Sequence, residues 1–293
     1  MRSIRVFIAT AILGLLSLAT LHAQEYGMEF ANDGFNPNSL RPVHESDIMF
    51  RKRLTYRMDL RQKQNKPFFA TQREITKLVI DAARVGIIRP YKNDSLTTRM
   101  SQEEFLENLK MEDAGGGLSE EELALGFGED DLGGGGWGED DAWGEGGEDE
   151  AEESANEYMP NQIYILEFVE DLIFDRKRSR LIHDIQSITL KLPAEYNAAG
   201  FEIPIATFSY KELVQNLFRD NPEAIWYNAA NNKYHLNLEH AFDLRLFAAK
   251  IVKFDNPDDN YIIDIYGGER AGLIAQLKYQ YSLVEYENNL WEN

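Results

Sequence analysis

The sequence of 293 residues contains no cysteine. This absence excludes disulfides, zinc sites built on thiolates, catalytic thiols and attachment of a lipid to an N-terminal cysteine. Histidine is scarce, with five residues, and the motifs GxSxG, HExxH and GxxxxGK[ST] do not occur. The chain therefore lacks the residue patterns of serine hydrolases, zinc proteases and P-loop nucleotide-binding proteins.

The N-terminus has the pattern of a secretory signal. Arg2 and Arg5 precede an uncharged apolar stretch, residues 6–21, which is followed by Ala23. This order predicts cleavage after Ala23; the alternative is an uncleaved anchor, but 16 residues fall short of the roughly 20 that span a bilayer. We therefore expect residues 1–23 to be removed and the mature protein to reach a membrane only through a partner.

The acidic charge is concentrated in one tract. The formal net charge is −20, of which residues 111–157 contribute −18 without a single basic residue. Residues 41–110 carry +6, whereas residues 158–293 carry −7. The tract is rich in glycine and poor in β-branched residues, so it cannot bury enough apolar area to offset the entropy of ordering, and it is predicted to be disordered.

The composition and patterning predict an α+β fold with an acidic insertion. The expected regions are a signal (1–23), an extended segment (24–40), a mainly helical region (41–110), a disordered Gly-rich linker (111–157) and an α+β region (158–293). Within the helical region, Phe50, Leu54 and Met58 lie four residues apart, which indicates an amphipathic helix over residues 47–61.

Two further helices are predicted from capping patterns. Thr71 and Glu74 have the spacing of a capping box, and Gly86 stands where a glycine commonly ends a helix. Ser101 and Glu104 give the same pattern for the next helix.

The C-terminal region predicts a sheet with flanking helices. Two long apolar runs separated by a polar tip indicate an antiparallel hairpin, whose first strand is apolar on both faces and should lie centrally in the sheet. The remaining expectations are a helix from Ser209, a helix over 237–247, short strands over 224–227, 248–254 and 261–267, and a helix rather than a strand over 272–291.

The histidines do not form a metal motif. His235 and His240 are five residues apart, so on a helix their side chains point about 140° apart and cannot chelate one ion. We expect no catalytic residue, no metal and no cofactor. The residues favour an interaction or structural protein over an enzyme.

The candidate interface residues are basic or aromatic. Arg51 and Arg53 lie on the basic side of the predicted 47–61 helix, which is either solvated or docks an acidic surface, including the chain's own tract. The polar hairpin tip carries three further cations, Arg176, Lys177 and Arg178, for which a solvated turn is the simpler interpretation than a nucleic-acid patch. The aromatic candidates are Trp226, Tyr227 and Trp291.

Several long strings resemble one known family. They are SDIMFRKRLTYRMDLRQKQN, DAARVGIIRPYKNDSLTTRMS, DLIFDRKRSRLIHDIQSITL, AIWYNAANNKYHLNLEHAFDLRLFAAKIVKFDNPDD and VEYENNLWEN. Together they resemble the gliding motility family GldN, also called PorN, of Bacteroidetes. The acidic tract departs from the family pattern, so nothing is carried over to it.

The resemblance implies a periplasmic component of the type IX secretion system. It implies a ring under the outer membrane, formed with a lipoprotein of the GldK/PorK type, and contact with a motor protein of the GldM/PorM type. It supplies no catalytic residue and no nucleic-acid partner, and it implies no direct membrane insertion after signal cleavage. The residues leave two alternatives open, a periplasmic hydrolase or metal-binding enzyme and a secretion chaperone.

Overall fold

The fold is built on one five-stranded antiparallel sheet. The computed structural model describes residues 33–111, 157–197, 200–231 and 233–291. The predicted signal, most of the predicted extended segment and the predicted disordered tract lie outside these residues. The sheet contains β1 (Ile48–Asp59), β4 (Ile165–Asp175), β5 (Arg180–Leu192), β6 (Ile203–Ser209) and β9 (Lys250–Phe254), in the spatial order β6-β5-β4-β1-β9.

The other elements of the described residues include two short strand pairs and six α-helices. Two-residue strands form the pairs β2 (Phe69–Ala70) with β3 (Arg73–Glu74), and β7 (Ile225–Trp226) with β8 (Leu236–Asn237). The helices are α1 (Ile75–Val85), α2 (Gln102–Leu109), α3 (Tyr210–Leu213), α4 (Leu238–Asp243), α5 (Ile262–Ile265) and α6 (Glu269–Trp291); α3 continues into a π-helical turn (Val214–Phe218). The predicted α+β class is confirmed.

The predicted hairpin is confirmed as the centre of the sheet. β4 and β5 pair antiparallel from Asp175 and Arg180 at the tip, and β4 lies between β5 and β1. Almost every residue of β4 is buried. A strand covered by neighbours on both edges and by side chains on its faces needs an apolar run, which is the pattern that its sequence carries.

The predicted helix over residues 47–61 is wrong, because this segment is β1. Phe50, Leu54 and Met58 are spaced by four, and four residues also make two full periods of a strand, so these positions fit both structures. Tyr56 and Lys52 decide between them, since they face the same side as the other three only in a strand. Pairing with β4 on one edge and β9 on the other stabilises the extended form.

Two other local predictions also need correction. The segment at Thr71 turns between β2 and β3 instead of starting a helix, and Gln72 has φ +65° there. The helix α1 begins only at Ile75, although it ends at the predicted Gly86, which has φ +81°. Residues 261–267 contain the helix α5 and are not a strand. Gly272 permits this, because a Cβ at that position would lie 3.0 Å from the Cα of Ile263.

Other predicted elements are confirmed. The side chain of Ser101 accepts a hydrogen bond from the backbone of Glu104 at the start of α2. A helix begins after Ser209, although its side chain makes no capping hydrogen bond. The strand at Ile225–Trp226, the helix α4 and the strand β9 occur where short elements were expected, and the last segment is helical, as α6.

The main core lies on one face of the sheet, where α1, α2, α3 and α4 pack. The sheet contributes Met58, Phe168 and Ile188, and the helices contribute Val79 and Phe242, all of them buried.

A second, smaller cluster lies on the same face nearer the hairpin tip, and α6 covers it. Its buried members are Leu54, Leu172, Ile251 and Ile262.

The acidic tract leaves and re-enters the fold at one place. Lys110 and Glu157 form an antiparallel bridge, and the backbone N–H of Tyr158 donates to the carbonyl of Leu109 at 2.8 Å. Arg84 also forms an ion pair with Glu157. Residues 112–156 are therefore an insertion whose two ends lie next to each other in the fold.

This closure predicts that the tract can be removed without loss of the fold. Replacing residues 112–156 with four Gly/Ser residues shortens the loop, and we expect the free energy of unfolding to rise by about 2 kcal/mol because less loop-closure entropy is lost. Unfolding by guanidinium in 0.5 M NaCl, where charge effects are screened, measures this change in the free energy of unfolding.

The matched control keeps the tract at full length with every Asp and Glu replaced by Asn and Gln. It should unfold like the parent chain in this salt. Loss of cooperative unfolding in the shortened variant would show that the tract is part of the fold.

Candidate functional site

The hairpin tip is a basic turn at one end of the sheet. Arg176, Lys177 and Arg178 are all exposed. The guanidinium of Arg176 donates to the carbonyl of Ser46 at 2.9 Å, and that of Arg178 pairs with Asp175 at 3.1 Å. Asp175 also accepts the backbone N–H groups of Lys177 and Arg178, which fixes the turn. The structure thus places three of the candidate interface cations together on an ordered, exposed turn.

The other two cations of the sequence prediction lie on β1. Arg53 makes a two-pronged contact with the buried Asp171, at 2.8 and 3.1 Å, and its backbone N–H donates to Asp255. Arg51 is half-buried on the same face of the sheet. Neither residue presents the freely solvated helical face that the sequence suggested, since a strand paired on both edges carries them.

The aromatic candidates lie elsewhere. Trp226 packs partly against the main core, and its indole nitrogen is buried with no hydrogen-bond partner among the described residues. The ring of Tyr227 contacts that of His235 in a tilted arrangement, with 4.8 Å between ring centroids, and the backbone N–H of Tyr227 donates to the carbonyl of Pro67. Trp291 is the last residue of α6, and its side chain lies outside the described part of the chain. The predicted residues therefore do not form one continuous patch.

The described residues contain no group of three or more His, Asp or Glu side chains that could hold a metal ion. The ring of His235 accepts the backbone N–H of Asn228, which is a structural role. His240 lies exposed on α4.

A row of exposed apolar side chains lies along α6. Leu273, Leu277, Tyr281 and Val284 follow a spacing of four, four and three residues, so they share one face of the helix. Their exposed fractions are 46%, 45%, 73% and 52%. Single exposed apolar residues are ordinary, whereas a row of this length indicates a contact surface. We call these four residues the outer face of α6.

The opposite side of α6 is also apolar and covers the sheet. Ala275, Tyr279 and Leu283 pack on the smaller core cluster, and the ring of Tyr279 stacks on Phe254 at 4.7 Å. At about 100° per residue, Ala275 lies about 160° around the helix from Leu273. A helix that is apolar on two opposite sides is normally covered on both.

Lys52 supports this packing from β1. Its ammonium lies 5.5 Å from the ring centroid of Phe50, 5.7 Å from that of Tyr279 and 5.2 Å from that of Tyr286. Cation–π contacts of this kind favour a positive charge among aromatic rings. Lys52 therefore helps to hold α6 against the sheet, and its ammonium group contacts aromatic rings.

A buried charged cluster lies between the two core clusters. Glu170 on β4 is fully buried; His183 on β5 hydrogen-bonds one of its carboxylate oxygens, and Arg245 donates to the other at 2.6 Å. Burial alone would raise the pKa of Glu170, but the hydrogen bonds and charges of His183 and Arg245 lower it below its usual value. Both carboxylate oxygens are occupied by protein groups, so the cluster fixes the sheet to the end of α4.

The backbone at Arg245 is shaped for this contact. Arg245 follows α4 with φ +52°, and the backbone bonds Arg245 N–H to Phe242 and Leu246 N–H to Ala241 close the helix in a Schellman motif. Glycine is the usual residue there. Arginine in the left-handed region costs about 1 kcal/mol, which the pairing with a buried carboxylate offsets. Nothing in the sequence pattern marked this residue, since its partners come from distant strands.

Two buried acids face each other across β4 and β5 on the opposite side of the sheet. Asp171 pairs in register with Asp184, and among the described residues Asp171 has an arginine partner whereas Asp184 has none. Burial raises the pKa of Asp184 to about 6, and the nearby carboxylates of Asp171 and Glu170 add to the effect. Gln186 donates one hydrogen bond to Asp184, at 2.6 Å.

The raised pKa makes the free energy of unfolding depend on pH in a defined direction. Between the ordinary value near 4 and the folded value of about 6, the folded state binds more protons than the unfolded state, so Asp184 lowers stability as pH rises through this window. We expect Asp184→Asn to gain about 2 kcal/mol relative to the parent chain between pH 4.5 and 7.5.

Denaturant unfolding at the two pH values measures this difference. The control is Asp264→Asn on α5, an exposed acid. A pH-independent difference for Asp184→Asn would show that Asp184 does not titrate in this window.

Most of the chain matches a known protein family. A family model described as "Gliding motility associated protein GldN" matches residues 43–292, a range that runs from the segment before β1 to the end of α6. No curated protein matches the sequence. No helix among the described residues is both long and apolar enough to cross a bilayer. The chain belongs to the GldN family of gliding motility associated proteins, and with it to the machinery of gliding motility and type IX secretion.

Proposed function

We propose that the protein is a non-enzymatic structural component of the type IX secretion machinery in the periplasm. In this proposal, copies of the chain form a ring-like complex with an outer-membrane lipoprotein of the GldK/PorK type and contact a motor protein of the GldM/PorM type. The protein lies at the inner face of the outer membrane through the lipoprotein. Membership of the GldN family supports a place in this machinery. The outer face of α6 supports a structural role that depends on contacts with other proteins.

The outer face of α6 is the observation that carries the proposal. Its four apolar side chains are about half exposed, while the opposite side of the helix already covers the sheet. Burying apolar surface stabilises an assembly by about 25 cal/mol per Å². A helix row of this kind fits into the groove of another helix or between two copies, as repeated contacts around a ring require.

The basic hairpin tip is a second proposed contact. The tip is the most exposed part of the hairpin, because β4 and the second part of β5 are buried in the sheet. Charged groups on a rim set the orientation and rate of association more than its affinity. Arg176, Lys177 and Arg178 would therefore orient an acidic partner surface, while Trp226, Tyr227 and Trp291 remain candidate contacts away from the tip.

The charged groups of the described chain favour a structural role over the alternative of a hydrolase or metal enzyme. Glu170, the most buried carboxylate beside a histidine, has both oxygens bound by His183 and Arg245. A general base needs an oxygen or nitrogen that can reach a substrate proton. The alternative of a secretion chaperone predicts transient binding to exported proteins and no ring.

The outer face of α6 yields a test of assembly. We expect Leu277→Glu with Tyr281→Glu to abolish co-purification with the lipoprotein from detergent-solubilised envelopes, because two charges would be buried without partners. Thermal unfolding of the isolated protein should change little, since both side chains are exposed.

Gln280→Glu, also exposed and one residue from Tyr281, adds a charge beside the row and is the matched control. Electron microscopy of the purified complexes reads out the ring, which the control and the variant lacking residues 112–156 should still form. Rings from the double variant, or discrete monomers from the parent chain with its lipoprotein, would sink the proposal.

A further inference from the structure

A cleft of about 530 Å³ lies beside the hairpin tip, away from the outer face of α6. It runs along the first half of β5, between the segment at Leu40–Pro42 and the end of α4. Apolar walls come from Leu40, Leu181 and Phe242, and four arginines line it: Arg41, Arg178, Arg180 and Arg245.

The floor of the cleft is a strand edge without a partner. β6 pairs with β5 only from Ser187 onwards, so residues 180–186 have no neighbouring strand on that side in the described chain. Residues 184–186 are buried, so the accessible part of this edge is residues 180–183. An open edge presents unpaired backbone N–H and carbonyl groups, which an extended segment can bind. The cleft therefore suits an extended chain better than a compact small molecule.

Tyr210 contributes a buried donor to the same cleft. The residue is only 3% exposed, and its hydroxyl has no hydrogen-bond partner among the described residues. A buried hydroxyl without a partner is unfavourable, and a carboxylate is the strongest acceptor that a peptide can offer it.

The positive charge at the cleft comes from the neighbouring hairpin tip once the charges that line the cleft are balanced. Arg41 pairs with Asp243 at 2.5 Å, Arg178 with Asp175, and Arg245 with Glu170. Arg180 has no ion pair among the described residues, but neither has Asp184, which also lines the cleft, so these two charges offset each other. The exposed Arg176 and Lys177 of the hairpin tip then leave two positive charges beside the cleft. The surplus cations make the cleft attractive to an acidic chain.

The protein's own acidic tract has the matching chemistry. Its residues 135–146 read GGWGEDDAWGEG, with four carboxylates between and beside two tryptophans, and the tract has no basic residue. We propose that this part of the tract binds in the cleft of its own chain as an extended segment. Its carboxylates meet the arginines and the Tyr210 hydroxyl, and its tryptophans meet the apolar walls.

The tether is long enough for this contact. The tract emerges near the start of β4, and the 11 residues of β4 separate that point from the hairpin tip by about 36 Å. Residue 143 is 14 residues from Glu157, a length of chain that reaches about 48 Å when extended. Tethers of this size give effective concentrations of about 1 mM, so even a segment with a Kd of about 100 µM would occupy the cleft most of the time.

Binding of a labelled peptide tests the cleft. The probe is residues 135–146 with a fluorescent label, titrated by anisotropy in 50 mM NaCl into the variant that lacks residues 112–156. We expect a Kd of about 100 µM that weakens strongly in 0.5 M NaCl. The control peptide carries Gln and Asn in place of its four acids, and binding as tight as the acidic peptide would overturn the proposal.

Two variants locate the binding site. Arg180→Gln should weaken the peptide about threefold, and Tyr210→Phe about tenfold, because it removes only the hydroxyl that the carboxylate accepts from. Lys63→Gln removes an exposed cation beyond the far end of β1 and should have no effect. Equal affinities for the parent, Arg180→Gln and Tyr210→Phe proteins would place the peptide elsewhere and overturn the assignment.

Comparison with the full chain tests whether the tract occupies its own cleft. The tethered tract should compete with the probe, so the full chain should bind the peptide about tenfold more weakly than the shortened variant. Equal binding would overturn intramolecular occupancy, as would competition that appears only when the full chain dimerises. This result does not depend on ring formation, which the variants of α6 test separately.

Discussion

The pairing of β1 with β4 is the interaction on which the rest of the structure depends. β1 comes from the N-terminal side of the acidic tract, whereas β4, β5, β6 and β9 come from the C-terminal side. Without β1, the hairpin would lose its neighbour and β9 would be separated from the sheet. The two sides of the tract therefore form one cooperative sheet, and the face on which both core clusters lie exists only when they meet.

Much of the fold could be predicted from local sequence patterns. The hairpin, the end of α1 at Gly86, the start of α2 at Ser101 and the helical C-terminus all follow from periodicity and capping, which act within a few residues. β1 could not be assigned from the spacing of Phe50, Leu54 and Met58, because that spacing is shared by strands and helices. Its neighbours in the sheet, which are more than a hundred residues away, decide the structure.

The candidate site was less predictable than the fold. Basic residues of the hairpin tip were identified from the sequence because turns expose charge, and the structure places them there. The Glu170, His183 and Arg245 cluster combines three distant segments, so no spacing marks it. The outer face of α6 was hidden for a different reason, since apolar residues on two opposite sides of a helix cancel the periodic pattern by which amphipathic helices are identified.

The charged side chains of this protein have two roles. Some stabilise the fold by pairing with buried acids, and others are exposed for contact with a partner. Arg53 and Arg245 hold buried acids on opposite faces of the sheet, and they set the positions of β1 and α4. Arg176 and Lys177 hold no buried acid among the described residues and are exposed to solvent at the tip, where Arg176 also donates to the carbonyl of Ser46. Cations of the same type therefore serve different purposes, which are fixed by the strand or turn that carries them.

The bridge between Lys110 and Glu157 has a practical consequence. Because the chain leaves at Lys110 and returns at Glu157, which lie side by side in an antiparallel bridge, the folded structure tolerates different lengths of chain between them. The position is a suitable insertion site for a fluorescent protein or an affinity tag whose own termini lie close together. A reporter inserted there would travel with the assembled machine without interrupting the sheet or α6.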